Sequence, residues 1–71
     1  MDTMVGYYAK KIIREKGFKQ YMVARKAGYK EQTFNNMLNG RKIITDMDIL
    51  KIADALNITP NDLFDLDDKT A

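Results

Sequence analysis

The sequence predicts an all-α domain, a compact bundle of five short helices, and three observations lead there. Apolar residues recur at three- and four-residue spacing from Val5 to Leu56, while the two-residue alternation of a half-buried strand is nowhere sustained. Turn and stop signals at Gly17, Gly28, Asn39-Gly40 and Pro60 cut that pattern into short pieces. With 71 residues and no cysteine, the chain forms one small domain held by helix packing alone or with a partner chain. A domain of this size buries only about 60% of its unfolded surface, so its core has to be simple.

The first helix is expected from Thr3 to about Lys16, with Asp2 or Thr3 as its cap, Gly17 as its stop and Val5, Ala9, Ile12 and Ile13 as its apolar stripe. Gly6 and the pair Tyr7-Tyr8 weaken its first turn. The second runs from about Gln20 to Ala27, burying Val23, Ala24 and Ala27, and ends at Gly28. The third runs from about Glu31 to Leu38, burying Phe34, Met37 and Leu38, and ends at Asn39-Gly40, a dipeptide suited to a left-handed C-cap. After a loop from Arg41 to Ile44, Thr45 and Asp48 form a capping box with Asp in place of Glu or Gln. It opens a fourth helix through Leu56 with Ile49, Ile52, Ala53 and Leu56 inward. Thr59-Pro60-Asn61-Asp62 repeats the start signal, with Pro60 at the first helical position, for a short fifth helix carrying Leu63 and Phe64. Residues 1–66 are expected to make the domain and 67–71 an acidic, disordered tail.

From Gln20 to Asn39 the spacing is that of a helix-turn-helix: Ala24, Gly28 four residues on, Phe34 six after that. Two helices meeting at a tight turn need a small residue where they face each other, a glycine at the bend and an apolar anchor under the second. With Phe34, Met37 and Leu38 buried, Glu31, Gln32, Asn35 and Asn36 share the opposite face. Three of these four are amides, which donate and accept together, as adenine does in the major groove, so the face suits A·T pairs.

Net charge is +2, but it is unevenly spread. Residues 1–44 carry ten Lys or Arg against three acids, a balance of +7; from residue 45 onward two lysines meet seven aspartates, a balance of −5. A polyanion would be drawn to the first part and repelled by the second. The absence of histidine and cysteine removes the usual general base, the thiol nucleophile and the commonest zinc ligands; no cofactor or catalytic constellation is expected and an enzyme is the least supported class. The longest apolar run, Tyr21 to Ala24, is far too short for a signal core or a membrane span, which reads as a cytoplasmic protein.

Ile12 to Phe64 resembles the lambda-repressor-like, XRE-type DNA-binding domain of phage repressors, Cro proteins and related bacterial regulators. The resemblance rests on Gly17, Gln20, Val23-Ala24, Gly28, Thr33-Phe34, Asn39-Gly40, Leu50, Ile52-Ala53, Leu56 and the Thr59 to Phe64 ending. It implies a bacterial or phage-encoded regulator whose third helix lies in the major groove, with Glu31, Gln32, Asn35 and Asn36 reading bases and Gln20 on the DNA backbone. Lys19, Lys30, Arg41 and Lys42 are candidate phosphate contacts by charge, and Tyr21 through its hydroxyl, unless it is an ordinary surface tyrosine.

The chain departs from that family at several places. Lys19 and Lys30 stand where Ser or Thr usually caps the helices of the motif, either as added attraction for phosphate or as tolerated poor caps. Tyr29 replaces a small aliphatic, so its ring is expected in the core with the hydroxyl reaching solvent. Ile13 and Leu38 stand where many members bury an Arg and a Glu, an apolar exchange that is often neutral or stabilising. The expected function is sequence-specific regulation of operator DNA, with dimerisation through residues around Leu56 to Pro60, Phe64 or Leu66. A protein-interaction module, such as an antitoxin-like partner, is the alternative, to which Tyr21 and Met22 lend support.

Overall fold

The computed structural model describes residues 3–64, and within them the chain forms α1 (Thr3–Lys16), α2 (Gln20–Ala27), α3 (Glu31–Leu38), α4 (Asp46–Leu56) and a final 3₁₀ turn at Pro60–Leu63. Asp2 as a cap, Leu66 as a dimer contact and the acidic tail lie outside the described residues.

Each α-helix closes with a left-handed residue one or two positions past its end: Gly17, Gly28, Gly40 and Asn57 all have positive φ. The next backbone N–H then reaches back five residues: Phe18 donates to Ile13, Tyr29 to Ala24, Arg41 to Asn36 and Ile58 to Ala53, at 2.8 to 3.0 Å. Asn39 itself has φ −97°, so Gly40 takes the strained turn in that pair. Asn57, which the pattern did not mark as a stop, tolerates φ 63° because its short polar side chain is the kind that visits this region.

The expected box opens α4: Asp48 N donates to Thr45 Oγ1 at 3.2 Å and Thr45 N to Asp48 Oδ2 at 2.9 Å. Asp62 repeats the second half at the last turn, accepting from Thr59 N at 3.1 Å. That last element, the expected short fifth helix, is a single 3₁₀ turn, since four residues leave no room for a ladder of i to i−4 bonds. It fully buries Leu63 but leaves Phe64 exposed.

α2 packs on α4, α1 on α3, and the terminal turn on both α1 and α4, around Phe34, Met37, Ile52, Leu56 and Leu63, the largest fully buried side chains. Ile13 and Leu38 are both buried in this core. Ala55, not expected inward, is buried too, as is Ile44 from the loop. Gly6, read from sequence as a weak point, is a packing requirement: a Cβ there would stand 2.8 Å from the Leu38 carbonyl oxygen and 3.1 Å from that of Met37. Its missing side chain lets α1 cross the end of α3 in backbone contact.

Tyr29 stacks on Phe34 as expected of a core ring, with centroids 5.9 Å apart. Its hydroxyl, however, donates to Asp48 Oδ1 rather than to solvent, joining the turn before α3 to the first turn of α4. Burial, then the bond to Asp48 and its charge, raise the Tyr29 hydroxyl well above the ordinary tyrosine value. For Asp48, burial pushes the carboxyl up, but the Tyr29 and Thr45 hydrogen bonds and the Lys51 charge outweigh it and hold the group below its ordinary value. Lys51 also lies over the Tyr29 ring, 5.4 Å from its centroid.

Candidate nucleic-acid interface

The eight residues of α3 divide cleanly. Phe34, Met37 and Leu38 are buried, while Glu31 and Gln32 are exposed and Asn35 and Asn36 half-buried on the other side. The four expected base-reading residues therefore share an outward face on a helix whose inner face is fixed by the core. Gln20, at the first position of α2, joins Glu31, Gln32 and Asn35 around one shallow hollow.

These side chains are tied to each other. Gln20 Nε2 donates to Asn35 Oδ1 at 3.1 Å, and Gln32 Nε2 to Asn36 Oδ1 at 3.3 Å, one turn along the helix. Asn39 Nδ2 reaches back to Asn35, donating to its backbone oxygen at 2.9 Å and to its Oδ1 at 3.1 Å. Lys10 Nζ in turn donates to Asn39 Oδ1 at 3.0 Å. Neither Lys10 nor Asn39 is among the expected site residues; the sequence marks Asn39 only as part of a helix stop. A helix-wheel projection treats α3 alone, and only the crossing of α1 over its end brings Lys10 there.

Positive charge brackets this face. Lys30 precedes the first residue of α3, while Arg41 and Lys42 follow its last turn, all exposed. Eight helical residues separate the two groups by about 12 Å. Lys19 stands before α2, and neither Lys19 nor Lys30 makes a side-chain cap bond, so among the described residues no side-chain cap serves the first amides of either helix. Tyr21 is exposed, with the Arg25 guanidinium 5.9 Å from its ring centroid. Glu31 is the acid of the first turn of α3; Asp46, Asp48, Asp54 and Asp62 belong to α4 and the terminal turn.

Residues 10–69 match the sequence profile of the Cro/C1-type helix-turn-helix DNA-binding domain. The chain belongs to that family. Among solved structures, this Cro/C1-type domain is similar to the restriction-modification controller protein C.AhdI from Aeromonas hydrophila, with 27% identity over 87% of this chain and 94% of the other, at a TM-score of 0.81. It also superposes on the clp gene regulator ClgR from C. glutamicum at a TM-score of 0.86, covering 99% of this chain and 92% of the other; at 15% identity that likeness shows the fold alone. No curated protein matches the sequence. Among the described residues, no helix of the Cro/C1-type domain is long and apolar enough to cross a membrane.

Proposed function

We propose that the chain is a sequence-specific transcriptional regulator that places α3 in the major groove of operator DNA. The observation that carries this reading is the outward polar face of α3, with a lysine at its start and Arg41 and Lys42 past its end. A helix so bracketed can sit between two phosphate strands while its centre meets base edges. Lys19, Gln20, Tyr21, Lys30, Arg41 and Lys42 serve as backbone contacts, the uncapped amides of α2 and α3 adding to them. Glu31, Gln32, Asn35 and Asn36 form the reading set. Gln32 spends one N–H on Asn36 and keeps the other with its Oε1, the donor and acceptor that adenine requires, so each half-site contains an A·T pair.

The working unit is residues 1–66, acting in the cytoplasm, with 67–71 as an acidic tail. A homodimer on two half-sites supplies the affinity that one eight-residue reading helix lacks. The similarity to a restriction-modification controller supports regulation as the outcome of binding.

Selection of bound duplexes from a random pool by the full-length chain tests the proposal. The expected result is a repeated motif whose binding weakens steeply with salt. Gln32→Ala then relaxes one A·T pair per half-site by about 1 to 3 kcal/mol of discrimination and leaves the salt slope intact. Failure to enrich any motif, with salt-insensitive capture of a protein instead, would favour the antitoxin-like alternative, to which exposed Tyr21 and Met22 on α2 would then belong.

A further inference from the structure

Asn35 and Asn36 are chemically identical side chains on the reading face, but the structure does not leave them equivalent. The difference begins at Lys10. An ammonium only donates and a backbone carbonyl only accepts. Asn39 sits between one of each, with Oδ1 against Lys10 Nζ at 3.0 Å and Nδ2 against the Asn35 backbone oxygen at 2.9 Å, so both ends of its amide are fixed. The Asn35 atom facing Asn39 Nδ2 at 3.1 Å then has to be oxygen, and the Gln20 atom facing that same oxygen has to be nitrogen. Both lone pairs of Asn35 Oδ1 are thereby occupied. Its Nδ2, with two hydrogens, has no hydrogen-bond acceptor among the described residues.

We infer that Asn35 enters the major groove as a donor only and selects guanine, against the adenine preference that an amide ordinarily brings. Guanine offers two adjacent acceptors, N7 and O6, to an NH₂ group, whereas adenine offers N7 alone and sets its own N6 hydrogens beside it, and cytosine shows only a donor; thymine O4 supplies a single acceptor. The chain of Lys10, Asn39, Asn35 and Gln20 thus works as a polarity relay. Lys10 and Asn39 touch no base in this arrangement and act by positioning Asn35. The inference rests on the placement of α3 in the groove proposed above, and it deepens that reading by naming a base.

Two arms test it. In the full-length chain without DNA, hydrogen exchange of side-chain amides is followed by NMR; Gln20 Nε2 and Asn39 Nδ2 are expected to exchange more slowly than Asn35 Nδ2. Protection of Asn35 Nδ2 instead would overturn the relay, whatever the chain binds. In the second arm, duplexes are selected by the parent and by Asn35→Ala, Asn39→Ala and Asn39→Asp. The parent is expected to show one G·C position per half-site, favoured about tenfold over A·T, that Asn35→Ala erases. Asn39→Ala weakens that preference. Asn39→Asp, whose carboxylate can only accept, draws Asn35 Nδ2 towards itself, turns Oδ1 outward and shifts the same position to a base that shows a donor. An adenine preference at the Asn35-dependent position of the parent, or an unchanged base ratio in Asn39→Asp, would overturn the inference. If the exchange pattern holds but no duplex is selected, it is the DNA-binding reading that fails, and the guanine assignment with it, while the relay stands.

Discussion

Asp48 concentrates more interactions than any neighbouring polar residue: it caps α4 through Thr45, accepts the Tyr29 hydroxyl and faces the Lys51 charge. Because its folded-state pKa lies below the unfolded value, near 3.9, its contribution is complete above that value and is lost as pH falls through the folded one. Tyr29→Phe removes one donor from the carboxylate and leaves the ring stacked on Phe34. The Asp48 pKa is then expected to rise, and stability at pH 7 to drop by about 1.5 kcal/mol, the scale of a hydrogen bond to a charged group. The deficit shrinks only as pH falls below the ordinary carboxylate value and through the lowered folded one, where Asp48 protonates in either form. Carbon-detected titration of Asp48, with urea unfolding at pH 7 and at about pH 2, checks both parts; a deficit that does not change between them would assign the loss to packing alone.

Helix α1 meets the end of α3 through Gly6, and here helix propensity and packing predict opposite signs. Alanine in a helix interior is better than glycine by about 1 kcal/mol. A Cβ 2.8 Å from the Leu38 oxygen, however, meets backbone that cannot turn aside, and overpacking of that kind costs about 1 to 3 kcal/mol. Gly6→Ala is therefore expected to lower stability, read by thermal unfolding; a stabilised variant would mean that the two helices do not come this close. The uncapped starts of α2 and α3 present a second trade. Lys19→Ser and Lys30→Ser each supply a missing cap, and each is expected to raise stability by about 1 kcal/mol while weakening DNA binding. Variants that gain stability with no loss of affinity would make these lysines merely poor caps.

For the whole molecule the charge division predicts an orientation on DNA. Lys19, Lys30, Arg41 and Lys42 belong to the strongly basic first part of the sequence, whereas Lys51 lies on α4 beside Asp48 in the acidic part. Alanine at each of the first four is expected to lower the slope of log affinity against log salt by roughly 1, and Lys51→Ala to leave it unchanged. Equal slopes for all five variants would remove the assigned orientation.

The sequence by itself determined the helices, the helix-turn-helix and the outward face of α3. Gly17, Gly28 and Gly40 stop helices through local backbone freedom, Thr45 and Asp48 start one through a contact three residues long, and apolar spacing says which side of each helix turns inward. None of these requires knowing where another helix lies. Only the tertiary structure decided that Gly6 is a point of contact, that the Tyr29 hydroxyl belongs to Asp48, and that Lys10, 29 residues from Asn39 in sequence, fixes which atom Asn35 presents. These are relations between elements distant in the chain, and the direction of an amide is set by partners that periodicity cannot name.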